Sequence, residues 1–486
     1  MKRFILLVIY IAVGLIATAQ TFEDFINYLN SVQTGSRQEV VDSFQIANQY
    51  YPLTEDGLAH FIYIGPGEDL AVPGDFSGWN PATAPMTSII ETNFWYRTYS
   101  FENTARLDYK FVYNGNTWIL DPMNPYTAPG GYGDNSELRM PDYIPPAEIN
   151  YYPNIPHGTL EDTSFYSTNL NNSRTIKVYL PPGYAESTEE YRLVLVHDGL
   201  EYISFAKMDN TLDYLIAEEK IKPTIAVFVP PVDRTPEYAE EKQDAFTSFI
   251  IDEVMPWINT KYRTINEASS NAVIGSSLGG NISLWIGMNH PEIFGHAGSF
   301  SPYIENDILT TFENSPMFDL QIYMNHGTYD HLDPIQQSVD AFLPILEEKE
   351  YVYEYGEYPE GHSYGFWRAH VDDALEFFFP GPNAAIFNNP YQPVGGTLSQ
   401  NYPNPFNHQT TVKYQLDKPA KIKIEIINLS GQVVKLLTDK HQSTGEHVII
   451  WNGTDNAGNK LPEGMYFNCL YIENRIVASR RIILIP

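Results

Sequence analysis

The stretch AVIGSSLGGNISLWIGM at residues 272–288 contains the features that decide the fold. Residues 272–274 have the composition of a buried strand, and a helical pattern follows the motif. Between them, residues 275–279 have the spacing G-x-S-x-G. In a sharp strand-to-helix turn, the middle serine projects from the carboxyl end of the sheet, while the flanking glycines avoid side-chain collision. The stretch therefore predicts an α/β sheet with Ser277 as an exposed nucleophile.

Strand-like and helix-like stretches alternate on both sides of this motif, which indicates an α/β domain at residues 155–382 with a mostly parallel central sheet. The other predicted strands are TIKVYLP (175–181), YRLVLVHDG (191–199), TIAVFVPP (224–231), HAGSFSP (296–302), LQIYMNHG (320–327) and VYEYGEYPEG (352–361). Helices are predicted to end near residue 221, to begin at residue 279, and to span residues 245–262, 334–349 and 366–378.

A serine hydroxyl becomes a nucleophile when a histidine takes its proton and a carboxylate holds that histidine. In this kind of sheet the partners follow the serine in the order acid, then histidine. Asp330 comes just after the strand at 320–327, and His362 follows the last predicted strand. We therefore predict a catalytic triad of Ser277, Asp330 and His362.

Several neighbouring residues are alternatives for these roles. Asp333 is a second candidate for the acid, or it caps the helix that follows it. His326 falls in a strand, His370 falls in a helix, and His331 adjoins the proposed acid. The cluster around Asp330 lacks the spacing of a recognised metal site. We therefore expect no metal and no organic cofactor.

The tetrahedral intermediate needs backbone N–H donors for its oxyanion. The amide of Leu278, directly after the serine, is the first candidate donor. The amide of Leu200, in the turn after the strand at 191–199, is the second. The alternative interpretation of that turn is an ordinary strand-to-helix connection that Asp198 caps.

A family resemblance rests on five segments: YLPPGY (179–184), HDG (197–199), GSSLGG (275–280), GTYD (327–330) and PEGHSYGFWR (359–368). Together they resemble the esterase D and enterochelin-esterase-like branch of the α/β-hydrolases, which includes feruloyl and acetyl-xylan esterases. The resemblance implies a serine carboxylic-ester hydrolase that uses an acyl-enzyme, with Ser277, Asp330 and His362 in the triad positions. His197 stands where that family usually has an apolar residue.

Residues 21–145 are predicted to form short helices followed by a β-sandwich. The segments VPGDFSGWNP (72–81), NFWYRTYSF (93–101) and RLDYKFVYNG (106–115) resemble the early-set module, a carbohydrate-binding-type domain that precedes glycogen-branching enzymes and enterochelin-type esterases. Trp79, Trp95 and Trp118 are candidates for stacking on sugar rings. Their alternative role is structural, in a sandwich that packs against the next domain and helps to shape it.

The two ends of the chain indicate export. Residues 1–20 have the basic start, apolar run and small residues of a secretory signal peptide. A Pro/Gly/Asn-rich linker is expected at residues 383–397. The segments LSQNYPNPFN (398–407) and WNGTDNAGNKLPEGMYF (451–467) resemble the type IX secretion sorting domain, which implies a small Ig-like sandwich at 398–486 and the type IX machinery as a partner. We expect a secreted or cell-surface protein without a stable membrane span.

Composition limits the function further. Lys and Arg number 29 against 60 Asp and Glu, so the net charge of −31 disfavours nucleic acid as a partner. Tyr202, Tyr303, Tyr364 and Trp367 lie near the proposed triad and are candidates for contact with an aromatic acyl group. We therefore expect feruloyl or acetyl esters on polysaccharide as the substrate. The alternatives are a siderophore esterase of the enterochelin type and a non-catalytic surface protein that binds glycans.

Overall fold

The computed structural model describes residues 21–131, 133–330, 333–383, 396–398, 401, 403–404, 406–416, 419–428, 433–472 and 475–485. The predicted signal peptide and most of the predicted linker lie outside these residues. By its internal contacts the chain divides into two compact units, residues 1–386 and 387–486. Within the described part of the chain, no helix is both long enough and apolar enough to cross a membrane.

The first unit begins with two short amphipathic helices, α1 (Phe22–Ser31) and α2 (Arg37–Ala47). The Thr21 side chain caps α1 by accepting from the amide of Asp24 at 3.1 Å. Phe25 on α1 stacks on Phe44 of α2 with ring centroids 4.0 Å apart, and both rings contact Phe94 of the sheet beneath. These aromatic contacts attach the helices to a β-rich region.

We call residues 53–140 the N-terminal β-region. Its strands are β1 (Leu53–Glu55), β2 (Leu58–Ile64), β3 (Thr87–Ser88), β4 (Phe94–Ser100), β5 (Arg106–Tyr109), β6 (Phe111–Tyr113), β7 (Thr117–Ile119), β8 (Thr127–Ala128) and β9 (Asn135–Arg139). They form a four-stranded sheet in the order β1-β2-β4-β3, a three-stranded sheet in the order β5-β9-β8 and the pair β6-β7. Phe61 of β2 and Leu107 of β5 lie in one buried cluster, so the sheets share a core.

The second part of this unit is built on an eight-stranded sheet. Its strands are β10 (Thr159–Ser167), β11 (Asn172–Leu180), β12 (Arg192–His197), β13 (Thr224–Val229), β14 (Asn271–Ser276), β15 (His296–Phe300), β16 (Gln321–Gly327) and β17 (Tyr353–Tyr358). The order is β10-β11-β13-β12-β14-β15-β16-β17. All pairs from β13 to β17 are parallel, whereas β10 and β11 pair antiparallel at one edge. The prediction of a mostly parallel sheet is confirmed, but strand β10 was not predicted from the sequence.

Helices cover both faces of this sheet: α3 (Gly199–Ser204), α4 (Met208–Ala217), α5 (Arg234–Ala239), α6 (Gln243–Ser248), α7 (Met255–Lys261), α8 (Leu278–Asn289), α9 (Asn306–Asn314), α10 (Asp333–Glu348), α11 (Tyr364–Trp367) and α12 (Val371–Phe378). Leu193 and Leu195 of β12 point into one buried cluster, and Val194 and Val196 point into another. Burial on both faces explains the continuous apolar strands.

Two helix predictions differ from the structure. The predicted helix at 245–262 is α6 and α7 joined by a π-helical segment, Phe249–Val254. The predicted helix at 366–378 is divided into α11 and α12, with His370 at the cap between them.

The second unit contains β18 (Gly396–Leu398), β19 (Thr410–Leu416), β20 (Ala420–Asn428), β21 (Val433–Gln442), β22 (Gly445–Trp451), β23 (Gly464–Ile472) and β24 (Arg475–Leu484). Two sheets form, in the orders β18-β19-β22 and β21-β20-β23-β24. Val412 of β19 and Ile422 of β20 belong to one buried cluster, so the two sheets pack on each other. Cys469, the sole cysteine of the sequence, is buried in this unit.

Candidate active site

Ser277 occupies a strained turn between β14 and α8. Its backbone has φ 56° and ψ −123°, a conformation that residues other than glycine rarely adopt. A Cβ added to Gly275 would lie 2.5 Å from the carbonyl oxygen of Gly279. The absence of a side chain at Gly275 therefore allows the close approach of strand and helix that the turn requires.

The start of α8 offers backbone donors beside Ser277. The amides of Gly280 and Asn281 donate to the Ser277 carbonyl at 3.0 and 3.1 Å. The amide of Leu278, the first residue of the helix, has no acceptor among the described residues, as expected for a first-turn amide. Together with the positive end of the helix dipole, this amide suits the stabilisation of an oxyanion.

A second strained turn joins β12 to α3. Asp198 has φ 52° and ψ 34°, and α3 begins at Gly199, where a Cβ would lie 2.5 Å from the backbone of Phe228. The Asp198 side chain does not cap the helix, so the capping alternative is wrong. The amide of Leu200 has no acceptor among the described residues, which is consistent with its predicted donor role.

Arg234 connects the two turns. Its Nε and Nη2 donate to the two carboxylate oxygens of Asp198 at 2.8 and 2.7 Å, and Nη2 also donates to the carbonyl of Ser276 at 3.1 Å. Arg234 was not predicted from the sequence. The available signal was its position at the start of α5, the helix that follows β13, at the edge of the sheet where the nucleophile lies.

His197 lies beneath the second turn and is fully buried. Its ring packs against Tyr238 and Phe246, and neither ring nitrogen has a hydrogen-bond partner among the described residues. Burial, with the charge of Arg234, lowers the pKa of His197 to about 3. The residue is therefore a neutral part of the core at neutral pH.

Asp330 and His362 meet at the same edge of the sheet. Asp330 follows β16, His362 follows β17, and the His362 Nδ1 lies 2.6 Å from the Asp330 Oδ2. The Asp330 side chain is 1% exposed and that of His362 is 15% exposed. Since an ionised carboxylate can only accept, Nδ1 carries the proton in this pair and Nε2 is left as the proton acceptor.

Trp367 connects this pair to the region of the nucleophile. Its ring contacts His362 edge-on at 5.1 Å, and its Nε1 donates to the Ser301 hydroxyl at 3.2 Å. The residue before Ser301, Phe300, accepts from the Ser277 amide at 2.7 Å. The Ser277 hydroxyl has no hydrogen bond among the described residues, so its contact with His362 stays a prediction.

The alternative residues for the triad have other partners. The His326 Nε2 lies 2.5 Å from the Gln336 Oε1, and His370 lies between Glu360 and Asp373 at 3.0 and 3.2 Å. His331 and the side chain of Asp333 lie outside the described residues.

The four predicted substrate-contacting aromatic residues have different environments. Tyr202 is fully buried, with its ring edge-on to Tyr364 at 5.8 Å, so its predicted place on a substrate surface is not met in this structure. Trp367 is 7% exposed and supports His362, Tyr364 is half-buried, and Tyr303 is 42% exposed. Tyr303 is the most accessible of the four.

In the N-terminal β-region, Trp79 and Trp118 form a stacked pair with ring centroids 6.4 Å apart. Trp118 is 43% exposed. Trp95, in contrast, packs against the core that the two sheets share. The structure thus separates a surface pair from a structural tryptophan.

Comparisons with known proteins find a similarity to esterases in the centre of the chain. Residues 167–378 match the family model described as "Putative esterase", and residues 403–467 match the model of the FlgD Ig-like domain. A Bacillus subtilis protein, YjcH, which is described as uncharacterized, is 26% identical over 238 residues, which cover 45% of this chain and 97% of the relative.

Two further similarities are informative. An endo-1,4-beta-xylanase/feruloyl esterase from Xylanibacter ruminicola is 25% identical over 253 residues, which cover 49% of this chain and 34% of that protein. The crystal structure of the enterobactin esterase from Shigella flexneri matches with a TM-score of 0.59 and 20% identity, and the match covers 69% of this chain and 97% of that one. The latter shows a shared fold.

Proposed function

We propose that residues 155–382 form a secreted serine carboxylic-ester hydrolase that acts through Ser277, His362 and Asp330. The observation that carries the proposal is the 2.6 Å pair of His362 and Asp330 at the sheet edge where the Ser277 turn also lies. The match of residues 167–378 to an esterase family supports it.

The proposed reaction begins with attack of the Ser277 Oγ on the ester carbonyl carbon. The His362 Nε2 takes the hydroxyl proton and passes it to the departing alcohol as the C–O bond breaks, and Asp330 holds the imidazole and stabilises its charged form. The amides of Leu278 and Leu200 bind the oxyanion of the tetrahedral intermediate. Water then attacks the acyl-enzyme, with His362 as the base, and releases the acid. Catalytic hydrogen bonds often tighten only once substrate binds, and we assign the Ser277–His362 contact to that state.

The proposed substrate is a feruloyl or acetyl ester on a polysaccharide. Its support is the relative whose name includes feruloyl esterase, together with the accessible Trp118 and the ring of Tyr303. Aromatic faces of this kind stack on sugar rings and on aryl groups. The Trp79–Trp118 pair supports an early-set, carbohydrate-binding role for the N-terminal β-region.

A siderophore triester is the second candidate, and the fold shared with the enterobactin esterase favours it. Hydrolysis of p-nitrophenyl acetate by wild type and Ser277→Ala tests the enzyme itself. Equal rates would leave a non-catalytic glycan-binding protein. Rates on methyl ferulate, acetylated xylan and enterobactin then distinguish the substrates, because a polysaccharide esterase should favour one of the first two. A phosphonate inhibitor should label Ser277 covalently.

We also propose that the chain is exported by its signal peptide and then by type IX secretion, with residues 398–486 as the sorting domain. The resemblance of that segment and the Ig-like match at 403–467 support this. Comparing the location of the full chain with that of a chain ending at residue 397, in a host with this machinery, tests it. Retention of the shortened chain inside the cell envelope is the expected result.

A further inference from the structure

We propose that the N-terminal β-region holds the Asp330–His362 pair in its reactive geometry, with Arg106 as the positioning residue. This inference rests on the proposed function of that pair. It assigns to the β-region a role in catalysis that is separate from any contact with sugar.

Arg106 of β5 enters the loop that carries His362. Its side chain is fully buried, and its Nη1 donates to the hydroxyl of Ser363 at 3.1 Å. Its backbone amide donates to the carbonyl of Pro359 at 3.1 Å, and Arg106 also forms a parallel β-bridge with Glu360. Arg106 therefore contacts residues on both sides of His362.

Carboxylates of the β-region hold this guanidinium in place. Asp108 pairs with the Arg106 Nη2, and the Glu137 Oε1 lies 3.2 Å from its Nε. Glu137 also accepts from the Arg368 Nη2 at 3.2 Å, across to the far end of the same loop. A buried guanidinium with fixed partners on one side is a rigid support for what it contacts on the other.

Glycines in the loop provide the space that this contact needs. A Cβ added at Gly365 would collide with the guanidinium of Arg106, and one added at Gly361 would collide with the carboxylate of Asp75. The segment 359–368 is therefore fitted to the surface of the β-region at positions on both sides of His362.

The β-region also contacts the loop of the catalytic acid. The Tyr329 hydroxyl, one residue before Asp330, donates to the Glu102 Oε2 at 2.7 Å, and its ring contacts Phe101 edge-on at 5.8 Å. The Tyr329 amide donates to the Glu360 carbonyl at 3.0 Å. One surface of the β-region thus fixes both members of the pair relative to each other.

Conservative variants test the proposal, because replacing Arg106 with an apolar residue would remove the buried cation that pairs with Asp108 and Glu137. Ser363→Ala and Tyr329→Phe each remove one hydroxyl from this contact, and Arg106→Lys keeps the charge but loses the guanidinium geometry. For the Ser363→Ala/Tyr329→Phe double variant, we expect kcat on p-nitrophenyl acetate to fall about tenfold or more, with KM within twofold of wild type. Arg106→Lys should give a loss of similar size.

Two controls match these variants. Arg139→Met removes another arginine from Glu137 but reaches no residue of the His362 loop, and Tyr166→Phe removes a surface tyrosine hydroxyl that bonds Asn171. Both should keep kcat within twofold of wild type, and thermal unfolding should show that all variants are folded at the assay temperature.

Combination with Asp330→Asn separates positioning from general destabilisation. If the β-region acts through the pair, adding Ser363→Ala and Tyr329→Phe to Asp330→Asn should lower kcat by less than a further twofold. The proposal is overturned if Ser363→Ala/Tyr329→Phe and Arg106→Lys both keep wild-type kcat, or if their losses are unchanged in that background. The wild type and Ser277→Ala are assayed alongside, because equal rates for those two would overturn the proposed function and not the positioning role alone.

Discussion

The turns at Ser277 and Asp198 share three features, but their side chains have different environments. Each follows a parallel strand, each places a non-glycine residue at positive φ, and each opens a helix beside a glycine. The Asp198 carboxylate accepts from the Nε and Nη2 of Arg234, whereas the Ser277 hydroxyl has no hydrogen bond among the described residues. The comparison indicates that the Asp198 side chain is bound within the structure, whereas the Ser277 side chain is available for the proposed reaction.

The largest effect should be the loss of activity when the Ser277 side chain is removed. Ser277→Ala should lower kcat on p-nitrophenyl acetate by at least about 10⁴-fold, because the proposed acyl-enzyme forms on the hydroxyl that this change removes. Its thermal midpoint should match that of wild type. A Ser277→Ala variant that keeps more than a hundredth of wild-type kcat would contradict the proposed role of the Ser277 hydroxyl.

At the Asp198 turn, removal of the carboxylate should mainly lower the stability of the protein. Asp198→Gly relieves positive φ but leaves Arg234 without its carboxylate, so unfolding free energy should fall by about 3 kcal/mol. This lies at the low end for a broken buried pair, because the arginine is partly exposed. Urea unfolding measures it. A stabilised variant would contradict the structural role of the carboxylate.

Acid should lower the stability of the protein through His197, which lies beneath the Asp198 turn. The folded-state pKa of about 3 lies below the unfolded value of 6.5, so the unfolded chain binds more protons, and stability is lost as pH falls below 6.5. From pH 7 to pH 5 this residue should cost about 2 kcal/mol. Urea unfolding of wild type and His197→Leu at both pH values checks this, since the variant should lose less stability. Equal losses would contradict the assignment.

The two turns should also be energetically coupled through Gly279. A Cβ at this residue would lie 2.9 Å from the Asp198 Oδ2 and 3.5 Å from the Cβ of His197. Gly279→Ala should therefore cost about 1.5 kcal/mol by overpacking. In an Asp198→Gly background the cost should shrink, which a double-mutant cycle of unfolding free energies measures. Strict additivity would mean that the turns are independent.

The smallest expected effect has the opposite sign to the one at Asp198. Ser277→Gly removes about 1–3 kcal/mol of backbone strain and gives back roughly 1 kcal/mol through the greater entropy of the unfolded chain. A net stabilisation of about 1 kcal/mol should accompany loss of activity. A destabilised Ser277→Gly, measured by urea unfolding, would mean that the serine side chain is structural after all.

The central sheet could be predicted because its strands and the Ser277 turn depend mainly on residues that are neighbours in the sequence. An apolar run, two glycines and a helical pattern define the Ser277 turn, and the order of strands places Asp330 and His362 at one edge. Strand β10 was missed because its burial is low along most of its length, so it lacks an apolar run. Arg234 and Arg106 were missed because their roles depend on contacts between distant segments, such as Arg106 with Ser363.

The edge position of β10 bears on how the catalytic region can be isolated. The family match begins at residue 167, the last residue of β10, yet β10 pairs with β11 along its whole length. A chain shortened to the matched residues would uncover the outer edge of β11, and an open strand edge is a template for pairing between molecules. Recombinant protein trimmed in this way should self-associate more readily than a chain begun ahead of Thr159, because the exposed strand β10 then covers the edge of β11.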